Sequence, residues 1–284
     1  MFGATLLFGI NYWVAKGLMP HYLQPVQIIF LRISGALVLF WALELGFAAK
    51  SKAIERSDIL RIAFAALLGI TLNQMLFFLG LNLTTPVDAA IINSINPMLV
   101  LVFTAVWLRK KIRADKIIGV LLGAGGALLL VVYGQAVKAG PGNTTGNLFI
   151  LANTVSWSLY LVLAKPLMEK YHPFKVMRWI FCFGFLFAFP FTISSLHKID
   201  MEAFTSYTWS AVVYVIIGTT FLAYLFITFG LRKLSSPVVA YYSYLQPVLV
   251  AGIGIILFSE KLSLIKVTAT LLVFSGVYLV NKRS

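Results

Sequence analysis

The sequence predicts an all-α integral membrane protein of ten transmembrane helices, arranged as two inverted five-helix repeats. Composition gives the first reason. Apolar residues make up 60% of the chain and charged residues 11%, with a mean hydropathy of +0.92, whereas soluble domains carry about 25% charged residues. The second reason is a series of ten apolar runs, each near the roughly 20 residues that cross a bilayer. The third is a duplication. Residues 80–126 return 150 positions later without insertion: Gly80-Leu81 meets Gly230-Leu231, Pro97 meets Pro247, Lys116 meets Lys266 and Gly126 meets Gly276.

Read between polar breaks, the spans cover about residues 2–19, 25–47, 59–81, 86–108, 115–134, 147–166, 174–196, 208–230, 236–258 and 263–281. The first has no basic segment before it and no small-residue cleavage site after it, so a retained helix is expected and not a signal peptide. Pro20 and Pro25 separate it from the second span. Pro86, Pro173 and Pro237 stand at the starts of the fourth, seventh and ninth, where a helix tolerates a missing N–H. The fifth carries Gly119-x-x-x-Gly123 followed by Gly125 and Gly126, a pattern that lets helices approach closely. Packing within a monomer is its expected use, and a homodimer is the alternative. The Gly/Pro-rich stretch that follows divides the chain into a first repeat at 1–138, a linker at 139–146 and a second repeat at 147–284.

Basic residues set the orientation. With both termini in the cytoplasm, 17 of the 23 lysines and arginines fall on the inner side and five on the outer, and Arg32 lies inside span two. This matches the positive-inside rule for a multi-pass protein of the cell (inner) membrane. Five spans per unit is an odd number, so the second copy enters from the opposite face. The pI near 9.9 is accounted for by these short loop clusters beside anionic headgroups, and no nucleic-acid partner is expected. Cys182 is the single cysteine, which excludes an internal disulfide or a cysteine-based metal site. No phosphate-cradling Gly-x-x-x-x-Gly-Lys-Ser/Thr is present, so no nucleotide, metal or other cofactor is expected.

Polar groups are costly at mid-bilayer and point to function. Asn11, Asn73, Gln74, Asn93, Asn96 and Gln246 lie near the middle of their spans, with Trp157, Tyr160, Tyr224, Tyr241 and Tyr244 as aromatic company. They occupy spans one, three, four, six, eight and nine, the same trio of helices from each half. Asn96-Pro97 and Gln246-Pro247 loosen the backbone at matched places. A substrate pocket at the repeat interface is the reading, set against simple helix–helix hydrogen bonding. Arg32, roughly 10 Å from the outer end of span two at 1.5 Å per residue, is a candidate for a substrate carboxylate or a residue that snorkels outward. Asp88 reads as a helix-start acid favoured by the dipole. The spans show no convincing buried carboxylate, which favours facilitated diffusion or exchange over strict proton antiport.

Several motifs resemble those of the EamA-type, ten-helix branch of the drug/metabolite transporter superfamily. Phe8-Gly9-Ile10-Asn11-Tyr12-Trp13-Val14-Ala15-Lys16 is similar to that family's first-helix pattern, with Phe8 where Trp is usual. Leu31-Arg32 with Gly35-Ala36-Leu37 is similar to its second-helix pattern, and Ser259-Glu260-Lys261-Leu262 to the close of its ninth helix. The resemblance implies a secondary transporter working by alternating access, an exporter of small amphipathic metabolites, amino acids first among them. A multidrug or cationic-compound efflux carrier is the alternative within transporters, and a non-transporting scaffold the alternative outside them. Nothing suggests an enzyme: histidines and acids do not cluster at either interface.

Overall fold

A computed structural model describes residues 1–47, 53–109, 114–133, 143–259 and 263–281. The chain is all-α, with ten helical segments among these residues. They are α1 (Phe2–Leu18), α2 (Pro25–Phe47), α3 (Arg56–Leu83), α4 (Pro86–Trp107) and α5 (Ala114–Tyr133), then α6 (Asn143–Lys170), α7 (Pro173–Thr192), α8 (Ser206–Lys233), α9 (Ser236–Phe258) and α10 (Leu264–Asn281). Seven of them, α2–α4 and α6–α9, contain stretches long and apolar enough to cross a membrane. The linker expected at 139–146 lies outside the described residues as far as 142.

Proline chemistry breaks α4 and α9 where it was expected to. A proline lacks an N–H and its ring clashes with the carbonyl four residues back. Pro97 and Pro247 aim that clash at Asn93 and Ser243. Accordingly, helix Pro86–Asn93 gives way to Asn96–Trp107, and Ser236–Tyr241 passes through a tight turn, Tyr242–Tyr244, into Leu245–Phe258. The C-terminal ends of both helices also correspond. Arg109 (φ 52°) and Ser259 (φ 51°) are left-handed residues 150 positions apart, each just past the last turn.

Two wide π turns were not foreseen. They occupy Leu67–Leu72 in α3 and Tyr214–Leu222 in α8. A π turn opens the hydrogen-bond ladder, and in α3 the freed carbonyls find side chains. Ser156 Oγ donates to Leu68 O at 2.7 Å and Tyr224 OH to Gly69 O at 3.0 Å.

Small residues decide which helices touch. At the α3–α6 crossing, a Cβ on Gly146 would lie 2.9 Å from both the Gly80 carbonyl oxygen and the Thr84 nitrogen. Between α5 and α10, a Cβ on Gly126 would lie 2.7 Å from the Ala269 oxygen, and Gly276 faces the Gly119 carbonyl. The glycine face of α5 is therefore covered within the chain.

Lysines fasten both ends of the bundle. Lys16, on the last turn of α1, donates to the carbonyls of Leu81, Asn82 and Thr84, each at 2.9 Å. These are the unpaired C-terminal carbonyls of α3, where a cation is favoured. Lys165, on α6, donates to Leu231 O on α8 at 2.7 Å, and Leu231 is the repeat equivalent of Leu81.

Candidate functional site

The expectation that no carboxylate is buried is corrected. Asp88 is 1% exposed at the start of α4, and its Oδ1 lies 3.3 Å from Lys266 Nζ on α10. Asp58, equally enclosed, accepts from Lys170 Nζ at 2.6 Å and from Tyr171 OH at 2.7 Å. The reason is tertiary: each acid looks like a solvated helix start until a distant helix end folds over it. Both sit at bundle ends, away from the cavity below.

The cavity lies between α1, α2, α3, α4, α6, α8 and α9. It encloses about 80 Å³ open to the centre of a water molecule, against roughly 10–15 Å³ needed for one water, so it accommodates a small solute. Helical periodicity brings the wall together. Phe8, Asn11 and Tyr12 share a face of α1, while Asn73, Gln74, Phe77 and Phe78 come from α3 just past its π turn. Asn93 and Asn96 flank the break in α4, and Ser243 and Gln246 the break in α9. Asn153 and Trp157 come from α6, Tyr224 from α8 and Arg32 from α2.

Of the residues proposed from sequence, the structure therefore gathers Asn11, Arg32, Asn73, Gln74, Asn93, Asn96, Trp157, Tyr224 and Gln246 around one space. Tyr160, Tyr241 and Tyr244 are not in its wall. Tyr160 stands behind Trp157 (ring centroids 5.0 Å) with its hydroxyl toward Met177 Sδ at 3.9 Å, and Gly69 lies flat on its ring with no room for a Cβ. Tyr241 and Tyr244 pair with each other at 5.9 Å. Sequence reasoning missed Phe8, Tyr12, Phe77 and Phe78. Phe8 and Tyr12 had a signal, their place around Asn11 in the first-helix motif, whereas Phe77 and Phe78 had none.

Most of the amides hold helices together as well as facing the space. Asn93 Nδ2 donates to Tyr12 OH at 2.6 Å, and Tyr12 OH reaches Gln246 Oε1 at 3.5 Å. Asn93 also takes a short hydrogen bond from Thr154. Asn96 joins Ser158 (2.7 Å) and Ser243 (3.3 Å), Asn11 joins Thr219 (3.2 Å), and Asn153 Nδ2 donates to Asn73 O at 2.8 Å. Two side chains differ. Arg32, 3% exposed, has no hydrogen-bond partner at Nε or Nη1, and Gln74, 2% exposed, has none at either amide atom. The Arg32 guanidinium rests 4.7 Å over the Phe78 ring.

Phe8, Trp157 and Tyr224 form an edge-to-face cluster with centroids 5.5–6.3 Å apart, a favoured aromatic geometry. A second, smaller space continues from Phe8, Asn96, Trp157, Ser243 and Gln246 toward Met1, Thr5, Ile227 and Tyr242. Those five residues form the wall that the two spaces share. Among the described residues no group of three or more His, Cys, Asp or Glu gathers as a metal site would require.

Comparison with known proteins matches residues 1–132 and 144–282 to the model of the EamA-like transporter family. The chain is 26% identical over 243 residues to the uncharacterized transporter YetK of Bacillus subtilis (strain 168), covering 85% of this chain and 72% of that one. It is 27% identical over 265 residues to an uncharacterized transporter of Archaeoglobus fulgidus, covering 92% and 89%. A solved crystal structure superposes with a TM-score of 0.67 at 19% identity, covering 99% of this chain and 94% of that one, a likeness of fold.

Proposed function

The chain belongs to the EamA-like transporter family of the drug/metabolite transporter superfamily, and from that premise we propose that this small-molecule transporter is a secondary carrier and exporter of small amphipathic metabolites, amino acids first among them. Its ten helices are ten spans in two inverted repeats, with both termini cytoplasmic in the cell (inner) membrane, and it works as a monomer. Support for the repeats comes from the matched breaks at Asn96-Pro97 and Gln246-Pro247, the paired left-handed ends and the two lysine hooks. A duplicated bundle with a midplane site at the repeat interface moves solute by rocking one unit against the other.

The observation that carries the reading is the cavity itself. It joins an aromatic wall to Arg32 and Gln74, two enclosed polar groups with hydrogen-bonding capacity left over. Such a combination fits a solute with an apolar body and a carboxylate. Asn11, Asn73, Asn93, Asn96 and Gln246 set its orientation, and Trp157 and Tyr224 cover its apolar part. Tyr160 acts from behind the wall, as a support for Trp157. A cationic drug would meet Arg32 at close quarters, which disfavours the efflux alternative.

The test is counterflow of labelled amino acids into proteoliposomes preloaded with a mixed amino-acid pool, with and without an imposed pH gradient. Saturable uptake indifferent to the gradient is expected. Asn96→Ala and Gln246→Ala should each cut uptake at normal membrane insertion. If both variants transport normally, the cavity is not the site. If the unaltered protein moves no amino acid, the substrate class is wrong.

A further inference from the structure

We infer that the cavity selects by net charge, taking amphipathic monoanions (an apolar or aromatic body with one carboxylate) in preference to zwitterions and cations. This rests on the carrier reading above and moves its preferred solute from the amino acid itself to the same apolar skeleton without the amino group.

The argument is one of charge balance. Arg32 is the single charged side chain lining the space among the described residues, and no aspartate or glutamate shares its wall. The ion pairs seen, such as Asp88–Lys266 and Asp58–Lys170, lie at the bundle ends. Arginine cannot shed its proton to relieve burial. Its contact with the Phe78 face offsets only a fraction of what removing a cation from water costs. With Nε and Nη1 unpaired and the residue 3% exposed, the missing interaction is a counter-ion that arrives with the solute.

A carboxylate supplies it. Its two oxygens match the guanidinium fork, and the Gln74 amide, in the same wall beside the Tyr224 hydroxyl, has donors for the remaining lone pairs. The bound pair is then neutral, and the ring cluster of Phe8, Trp157 and Tyr224 receives the apolar body. A zwitterion fares worse. Its ammonium enters the same low-dielectric space beside Arg32 with no acid to face, so the site keeps its uncompensated positive charge. A cation doubles that charge. The choice also accounts for a cavity without a titratable acid: an inside-negative potential drives an anion outward with no proton required.

Three ligands with the same phenylethyl body isolate charge: 3-phenylpropanoate, phenylalanine and phenethylamine. Equilibrium binding of each radiolabelled compound to the purified full chain in detergent is measured at pH 7. Binding is read in place of flux because the protonated acid crosses bilayers unaided. We expect phenylpropanoate to bind at least tenfold more tightly than phenylalanine, and phenethylamine to show no saturable binding. Arg32→Gln should abolish the preference, and Arg32→Lys should retain part of it. Should Arg32→Gln fail to fold, the three-ligand series on the unaltered protein decides alone. Phenylalanine binding as well as or better than phenylpropanoate overturns charge selection while leaving the carrier reading intact. The same holds if none of the three binds but amino-acid counterflow succeeds. Failure of both experiments removes the carrier reading as well.

Discussion

Breaking the Asp88–Lys266 pair should be costly from one side only. Asp88 is 1% exposed, the Lys266 side chain is 13% exposed, and the charges are 3.3 Å apart. At an effective dielectric of 20 their attraction is about 5 kcal/mol, most of it spent against desolvation. Lys266→Met leaves a carboxylate enclosed without its cation, a change that costs about 3–5 kcal/mol. Asp88→Leu leaves a lysine whose stem can bend its ammonium toward the nearby interface, so a loss of about 1 kcal/mol is expected. Replacing both, as Asp88→Leu with Lys266→Met, removes the need for either charge and should return stability to within about 1 kcal/mol of the original. Equilibrium unfolding of the four proteins in mixed micelles gives the coupling energy directly. Single-variant losses that simply add in the double, to within about 0.5 kcal/mol, would show that the two residues do not interact and refute the reasoning.

Three further outcomes are checkable by the same unfolding measurement. Lys16→Met loses three charge-assisted hydrogen bonds where Lys165→Met loses one to a carbonyl, so it should destabilise more, by at least about 2 kcal/mol at roughly 1.5–3 kcal/mol per bond; equal losses would sink the hook argument. Gly146→Ala pushes a methyl against the α3 backbone at Gly80 and Thr84 and should cost about 1–3 kcal/mol; an unchanged midpoint would mean that the helices can part freely there. Tyr224→Phe strips the donor from the Gly69 carbonyl in the π turn, an unsatisfied buried acceptor worth about 1–3 kcal/mol; a neutral result would show that the turn finds another donor.

Much of the site was legible because polar atoms stand out in an apolar chain. Asn11, Asn93, Asn96 and Gln246 were visible because each is an amide near the middle of an apolar run. Phe77 and Phe78 carried no such contrast among 23 phenylalanines. The misplaced tyrosines teach a narrower lesson. Tyr241 and Tyr244 each precede Ser243 and Gln246 by two residues, about 200° around a helix, so they point away from a space that the latter pair faces. Helix membership suggested them, and helix phase would have removed them. Tyr160 is in phase with Trp157, and only the close approach of Gly69 puts it in a second layer. The buried Asp88 was illegible in another way. Its partner is 178 positions away, and its repeat equivalent is Val238, so neither local pattern nor duplication marks it. The π turns share an aliphatic–aliphatic–Gly–x–Thr stretch, residues 67–71 and 216–220, which helical periodicity does not mark as a widened turn.

The lysine hooks bear on the resting state of the proposed carrier. Two identical units related by a two-fold axis in the membrane plane would have two open forms of equal energy, each filled half the time. The hooks are not identical: one holds three carbonyls, the other holds one and shares its ammonium with Glu169 at 2.6 Å. That inequality lifts the degeneracy. In the proposed carrier, unequal hooks would bias the empty molecule toward one open form, and a ligand shifts that bias only by its differential affinity for the two.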